Sequence, residues 1–309
     1  MSAVCRQQKG IALLTVLMVI VLATIAAVAM TSRQQIDIRR TENILRNEQI
    51  HLYLLGAEDW AKQVLAQDAN DNDTDTLDDN WATILPPMPI EGGVISGAIE
   101  DMQGRFNINS LLSDDNVDEV NLARFQRLLQ VLELSPQIAD AVIDWLDNNE
   151  EPRPQGAEDN SYLNGELPYR AANAEMASTS ELLYVKGIDF DTFQRLKPYI
   201  AALPGHTAIN INTSPAAVLA SLAKDVTLES AQKLVEERGT GGYASVDEFL
   251  KHGIFNKEKP KKDGLAISSQ HFLLSAQVIM GQSRSQLFSL VKRINNNNIV
   301  VLQRLQGEI

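Results

Sequence analysis

KGIALLTVLMVIVLATIAAVAM, Lys9 to Met30, decides how the rest of the chain is read. Ile11–Met30 is a run of twenty residues without a charge. As a helix it is about 30 Å long, the thickness of a bilayer's hydrocarbon core. A secretory signal has a shorter apolar core with a small-x-small cut site behind it. Ala26, Ala27 and Ala29 imitate such a site. Composition therefore leaves three readings open: a discarded signal, a plain anchor, or a segment cut at its front edge. Flanking charge does not orient the segment, because Arg6 and Lys9 stand on one side and Arg33, Arg39 and Arg40 on the other.

Working outward, residues 31–67 contain no proline, and Gly56 is their only glycine. Ile44, Leu45, Leu52, Leu55, Ala61, Val64 and Leu65 recur at roughly helical spacing. The pattern predicts one helix from Ile11 to about Gln67, ~85 Å long. Its first half (11–30) would lie in lipid and its second would cover a globular domain. Residues 68–91 are acidic, then proline-rich, and read as a loop. Asp71, Asp73, Asp75 and Asp79 faintly resemble a calcium loop, but Ala82 stands where the closing Glu belongs.

Two short strands are expected next, Val94–Glu100 and Arg105–Asn109, around a turn at Gly104. Helical patterns fill residues 116–252, with Ser135-Pro136 a good cap and first turn. The end reverts to strands. Phe272, Leu274, Ala276, Val278 and Met280 alternate onto one face, and Asn295–Asn298 is the turn of a terminal hairpin. The economical fold is α+β: a long N-terminal helix packed on an antiparallel sheet. Residues 68–115 and 266–309 supply the sheet-bearing part, and a helical block, 116–265, is inserted in it.

The chain carries 27 basic and 40 acidic residues, which argues against a general nucleic-acid binder. Its single cysteine, Cys5, precedes the apolar run and allows no intrachain disulfide.

A short basic leader ending in Lys9-Gly10, followed at once by a long apolar helix, resembles a type IV prepilin signal. The resemblance implies cleavage between Gly10 and Ile11 by a prepilin peptidase, loss of leader 1–10, methylation of the new amine, and retention of the helix. Pseudopilins usually carry Phe at the first mature position and Glu at the fifth; here these are Ile11 and Thr15. In that family the Glu is thought to neutralise the amine of the subunit above. A carboxylate in lipid is costly unless paired, so its absence suits a subunit with nothing above it. Together with "DMQGRFNIN", "DWLDNNEEPRPQGAEDNSYL" and "AININ", the chain resembles the K-type minor pseudopilins of type II secretion. That implies a tip subunit in the inner membrane, single-pass, with its C-terminal part in the periplasm. Its partners would be the I- and J-type minor pseudopilins and the major pseudopilin, met through the N-terminal helix. No nucleic acid is implied.

The stretch Asp144–Tyr162 is the richest in oxygen ligands, arranged around a Pro/Gly loop. Members of the resembled family bind calcium in the inserted part, so Ca²⁺ is expected on Asp147, Asn149, Glu151, Glu158 and Asp159, with Asp144 as a further candidate. Residues 208–253 resemble a helix-hairpin-helix unit of DNA-uptake proteins. The glycine hairpin is replaced there by LAKDVTLES (Leu222–Ser230), whose Asp225 and Glu229 oppose a phosphate. A membrane-anchored DNA-binding protein and, more remotely, a periplasmic hydrolase are the rival readings. His51, His206, His252 and His271 are scattered, and no hydrolase motif accompanies them.

Overall fold

The computed structural model describes residues 9–164, 168–255 and 259–308. Helix α1 runs unbroken over Lys9–Asp71. Residues 10–45 of it are exposed throughout. That half is long and apolar enough to cross a membrane, and none of its apolar window is buried. The second half buries one face: Ile50, Leu54, Glu58, Ala61 and Leu65. Spacings of three and four keep these on one side of a 3.6-residue helix. Of the stripe read from the sequence, Ala61 and Leu65 are buried and Leu55 and Val64 pack beside them, whereas Ile44, Leu45 and Leu52 are exposed. Glu58 breaks the apolar pattern at the middle of the true face.

The sheet is antiparallel, in the order β1 (Leu85–Ile90), β2 (Gly93–Asp101), β9 (His271–Met280), β10 (Ser283–Asn295), β11 (Asn298–Glu308). β1 corrects the loop expected over 68–91. Pro86, Pro87 and Pro89 are tolerated because β1 is an edge strand with an irregular register between Leu85 and Met88. Phe272, Leu274, Ala276, Val278 and Met280 of β9 are all buried, as their alternation predicts. They face α1 in two clusters, one with Ile50 and Leu54, the other with Ala61, Leu65 and Trp81. Burying each large apolar side chain contributes about 2 kcal/mol. Glu58 is held in this interface by Arg304 of β11, whose Nε and Nη2 each donate at 2.8 Å, and by the Ser289 hydroxyl at 2.5 Å. The arginine bond lowers its pKa to about 2.

β2 and β9 are hydrogen-bonded neighbours, yet residues 102–270 lie between them in sequence. That stretch packs around its own core. It contains α2 (Glu119–Val131), α3 (Ile138–Leu146), α4 (Asp159–Leu163), α5 (Phe190–Leu196), α6 (Ala216–Ala220), α7 (Leu228–Arg238) and α8 (Val246–Phe249). The short strands β3 (Phe106–Asn107), β4 (Leu112–Ser113), β5 (Asn116–Val117), β6 (Ile200–Ala201), β7 (Ile209–Asn210) and β8 (Leu265–Ala266) tie these helices together. Phe106, Ile108 and Leu111 belong to this core, so it begins ahead of the compositional boundary at 116. The second expected strand shrinks to β3, which pairs in parallel with β6.

Buried asparagines staple the block to itself and to the sheet. The Asn107 amide donates to Leu203 O and Gly205 O, and Asn109 bonds both the N–H and the C=O of Met176. Asn212 does the same for Tyr243. A buried backbone without partners is costly, and each such amide satisfies one donor and one acceptor.

Candidate functional site

Asp144 lies in the last turn of α3, Asp147 caps its C-terminus, and Glu158 caps the N-terminus of α4. The intervening loop folds back over α3. Asp144 accepts from the Arg153 amide at 3.1 Å, and Gly156 presses against it so closely that a Cβ there would lie 1.8 Å from Oδ2. Only glycine fits that approach. Asp144, Asp147 and Glu158 are 0%, 5% and 3% exposed, which is rare for carboxylates unless they are paired.

Among the described residues none of the three is in an ion pair. Arg153 Nε goes to Asp140 at 3.0 Å, and Lys186 Nζ donates to Gly156 O at 3.4 Å. Both carboxylate oxygens of Glu158 lack a partner. Burial, then repulsion from Asp144, Asp147, Asp159 and Glu150, lifts Glu158 to about 7. Burial likewise raises Asp144 and Asp147. Behind them Trp145, Tyr162 and Tyr169 form an aromatic wall.

The sequence-predicted ligands divide. Asp144, the candidate ranked last, is the most buried, and with Asp147 and Glu158 it makes one electrostatically coupled group. Asn149 and Glu151 are exposed, and the Asn149 side-chain Oδ1 accepts from the Glu151 amide at 2.8 Å in a local turn. Asp159 accepts from the Ala171 amide at 3.0 Å and pairs with Arg170 at 3.3 Å. No three acidic, histidine or cysteine side chains among the described residues already stand at metal-ligand spacing. The group nevertheless fits a hard cation chemically, with all-oxygen donors, orphaned buried acceptors on Glu158 and the nearby Arg153 guanidinium turned to Asp140.

Two cations of the helix-hairpin-helix stretch are used internally. Arg238 is buried and donates to Ile211 O and Ser214 O, and Lys233 pairs with Glu229 at 3.0 Å. Leu222, Ala223 and Val226 are core residues. The histidines stay apart: His51 meets Gln306, His206 Asn121, His252 Glu237 and His271 Gln103.

Gly10 and Ile11 begin the exposed part of α1, and nothing would meet a Cβ on Gly10. The rest of the leader, residues 1–8, lies outside the described residues. The Thr15 hydroxyl donates to Ala12 O at 2.9 Å, so it is satisfied within its own helix.

Family models for type II secretion system protein K match residues 104–205 and 209–268. The chain belongs to the type II secretion system protein K family. It is 35% identical to protein K of Pseudomonas aeruginosa over 98% of this chain and 94% of that one. It is also 35% identical to the Klebsiella pneumoniae protein over 97% of each chain. Among solved structures, a chain from the GspK-GspI-GspJ complex of the enterotoxigenic Escherichia coli type 2 secretion system superposes with a TM-score of 0.77. It is 25% identical, and the match covers 87% of this chain and all of that one. These findings support neither the DNA-binding nor the hydrolase reading.

Proposed function

We propose that this protein K is the minor pseudopilin at the tip of a periplasmic pseudopilus. Its inserted block would close the growing end. The observation that carries this reading is the contrast within α1. Its C-terminal half is packed on a sheet, while its N-terminal half offers an unpartnered apolar surface with Thr15 where a docking carboxylate is usual. A prepilin peptidase would cut after Gly10 on the cytoplasmic side of the inner membrane and leave Ile11 at the front. The helix would then exchange lipid contacts for those of the I- and J-type minor pseudopilins and the major pseudopilin. The complex named for the solved neighbour supports the I- and J-type partners.

Asp144, Asp147 and Glu158 would hold a calcium ion, with Asn149, Glu151 and Asp159 within reach only if the loop closes further. The bound ion would supply charge neutralisation and pin the loop between α3 and α4, with no catalytic step. The test is a deletion of residues 116–265. It leaves membrane insertion intact and alters fibre length or secretion; normal fibres and normal secretion would sink the tip role. Mass spectrometry of the native protein is expected to find Ile11 as the first residue.

A further inference from the structure

A second acidic group lies where the inserted block meets the helix and sheet. Asp68 comes from the last turn of α1, Asp75 from the loop behind it, Asp101 from the end of β2 and Arg293 from β10. The three acids are 7%, 1% and 9% exposed. Asp101 is fully served: it accepts from the Gln103 amide, Asn210 Nδ2 and the hydroxyls of Thr213 and Ser269. Asn210, Thr213 and Ser269 belong to the inserted stretch, so this acid is the bolt of the joint. Asp75 receives the Ser269 amide and an Arg293 ion pair.

The remaining atoms do not balance. Among the described residues Asp68 Oδ2, Asp75 Oδ1 and Arg293 Nη1 lack a hydrogen bond; Arg293 Nη1 stands 3.6 Å from Asp68 Oδ2, an ion pair too long for one. One guanidinium, over the Phe272 ring at 5.0 Å, serves two buried carboxylates, Asp68 and Asp75. Asp79 of the same loop adds further negative charge. The residues next to Asp68 thus contribute Asp75 and Asp79 from the loop and Arg293 from β10, with Asp101 of β2 acting through Asp75.

We propose that Asp68 takes up a proton, and that the loss of its charge beside Asp75, which the Ser269 amide holds, fastens the inserted block to the helix–sheet module. One proton removes the like-charge repulsion between buried carboxylates that share a single guanidinium. Arg293 already fills the place where a metal would sit, which favours a proton over a divalent cation. Burial, then repulsion from Asp79 and Asp75, raises Asp68 to about 7. Because this lies above the ordinary value of 3.8, its contribution is complete below pH 3.8 and is lost as pH rises through about 7. The joint is therefore tight in mildly acidic surroundings and loosens above neutrality.

The test compares the full-length chain and Asp68→Asn in detergent at pH 5.5 and pH 8.5, by thermal unfolding and amide exchange. The asparagine is neutral at every pH. The two proteins melt together at pH 5.5, and the variant melts higher by about 3 °C or more at pH 8.5. After correction for intrinsic rates, the Ser269 amide exchanges at least about fivefold faster at pH 8.5 in the wild type and not in the variant. Glu158 titrates in the same range but is unchanged in both proteins, so it cancels from the difference. Parallel pH curves would overturn the proposal. So would calcium chloride that raises the wild-type midpoint at pH 8.5 more than the variant's, since that assigns the gap to a metal. Should the variant not fold, carbon-detected NMR of the wild-type Asp68 carboxyl decides: a midpoint near neutrality supports the proton, and one below pH 5 refutes it.

Discussion

The two buried acidic groups differ in one respect, the cation beside them. At the joint, Arg293 pairs with Asp75, lies near Asp68 and donates to Ser269 O at 2.7 Å. In the loop between α3 and α4 the neighbouring guanidinium is turned to Asp140, and Glu158 has nothing to accept from. Both groups are buried, and both have carboxylates pushed above their ordinary range. The joint carries its counter-charge as a side chain and is part of the fold. In the loop Arg153 is spent on Asp140, and a cation from outside would favour the charged form of Asp144, Asp147 and Glu158. Burial alone does not distinguish a structural acid from a ligand; the partner account does.

The comparison breaks most sharply at Arg293. Arg293→Met makes the joint resemble the loop and strands the Asp75 carboxylate, with an expected loss of about 3–5 kcal/mol in denaturant unfolding. Removing calcium tests the loop. With EGTA at pH 7.5 the melting point falls, by the equivalent of about 2.7 kcal/mol if the ion had stood at a hundred times its Kd. Asp144→Asn combined with Glu158→Gln abolishes that response, while Arg293→Met retains it. A calcium response that survives the double substitution would remove the loop as the site.

A smaller effect comes from pH. Glu158 is raised from 4.5 to about 7, so without calcium its share of stability is complete below pH 4.5 and declines as pH rises through about 7. Saturating calcium flattens that decline, which unfolding curves at pH 5, 6, 7 and 8 with and without the ion would show. The smallest effect is at a pair lying outside both groups. Lys233→Ala loses the exposed ion pair with Glu229 and shifts stability by less than about 0.5 kcal/mol.

Much of the scaffold is visible in the residues. The absence of proline from Ile11 to Gln67 leads to one helix, and the alternation in β9 names its buried face correctly. Two features hide. β1 carries three prolines, which signal a loop unless the strand is known to sit at an edge. The packed face of α1 centres on Glu58, which any apolar pattern discards; its partner Arg304 is distant in sequence and belongs to the last strand. In the acidic loop the residue types are legible, but the count of oxygens does not rank them. Asn149 and Glu151 sit in the richest part of the motif and face solvent, while Asp144 on the preceding helix is completely buried.

The sequence by itself determined the long helix, its membrane-length apolar half, the sheet-forming ends and the family, because each is written in local periodicity or a contiguous motif. Only the tertiary structure decided which acids are partnered. The groups that meet at the joint are Asp68, Asp75, Asp101, Asn210, Ser269 and Arg293, and chain order separates some of them by more than the length of the inserted block. Electrostatic pairing depends on distance in space and on the water excluded around it, and neither is a property of neighbouring residues in the chain.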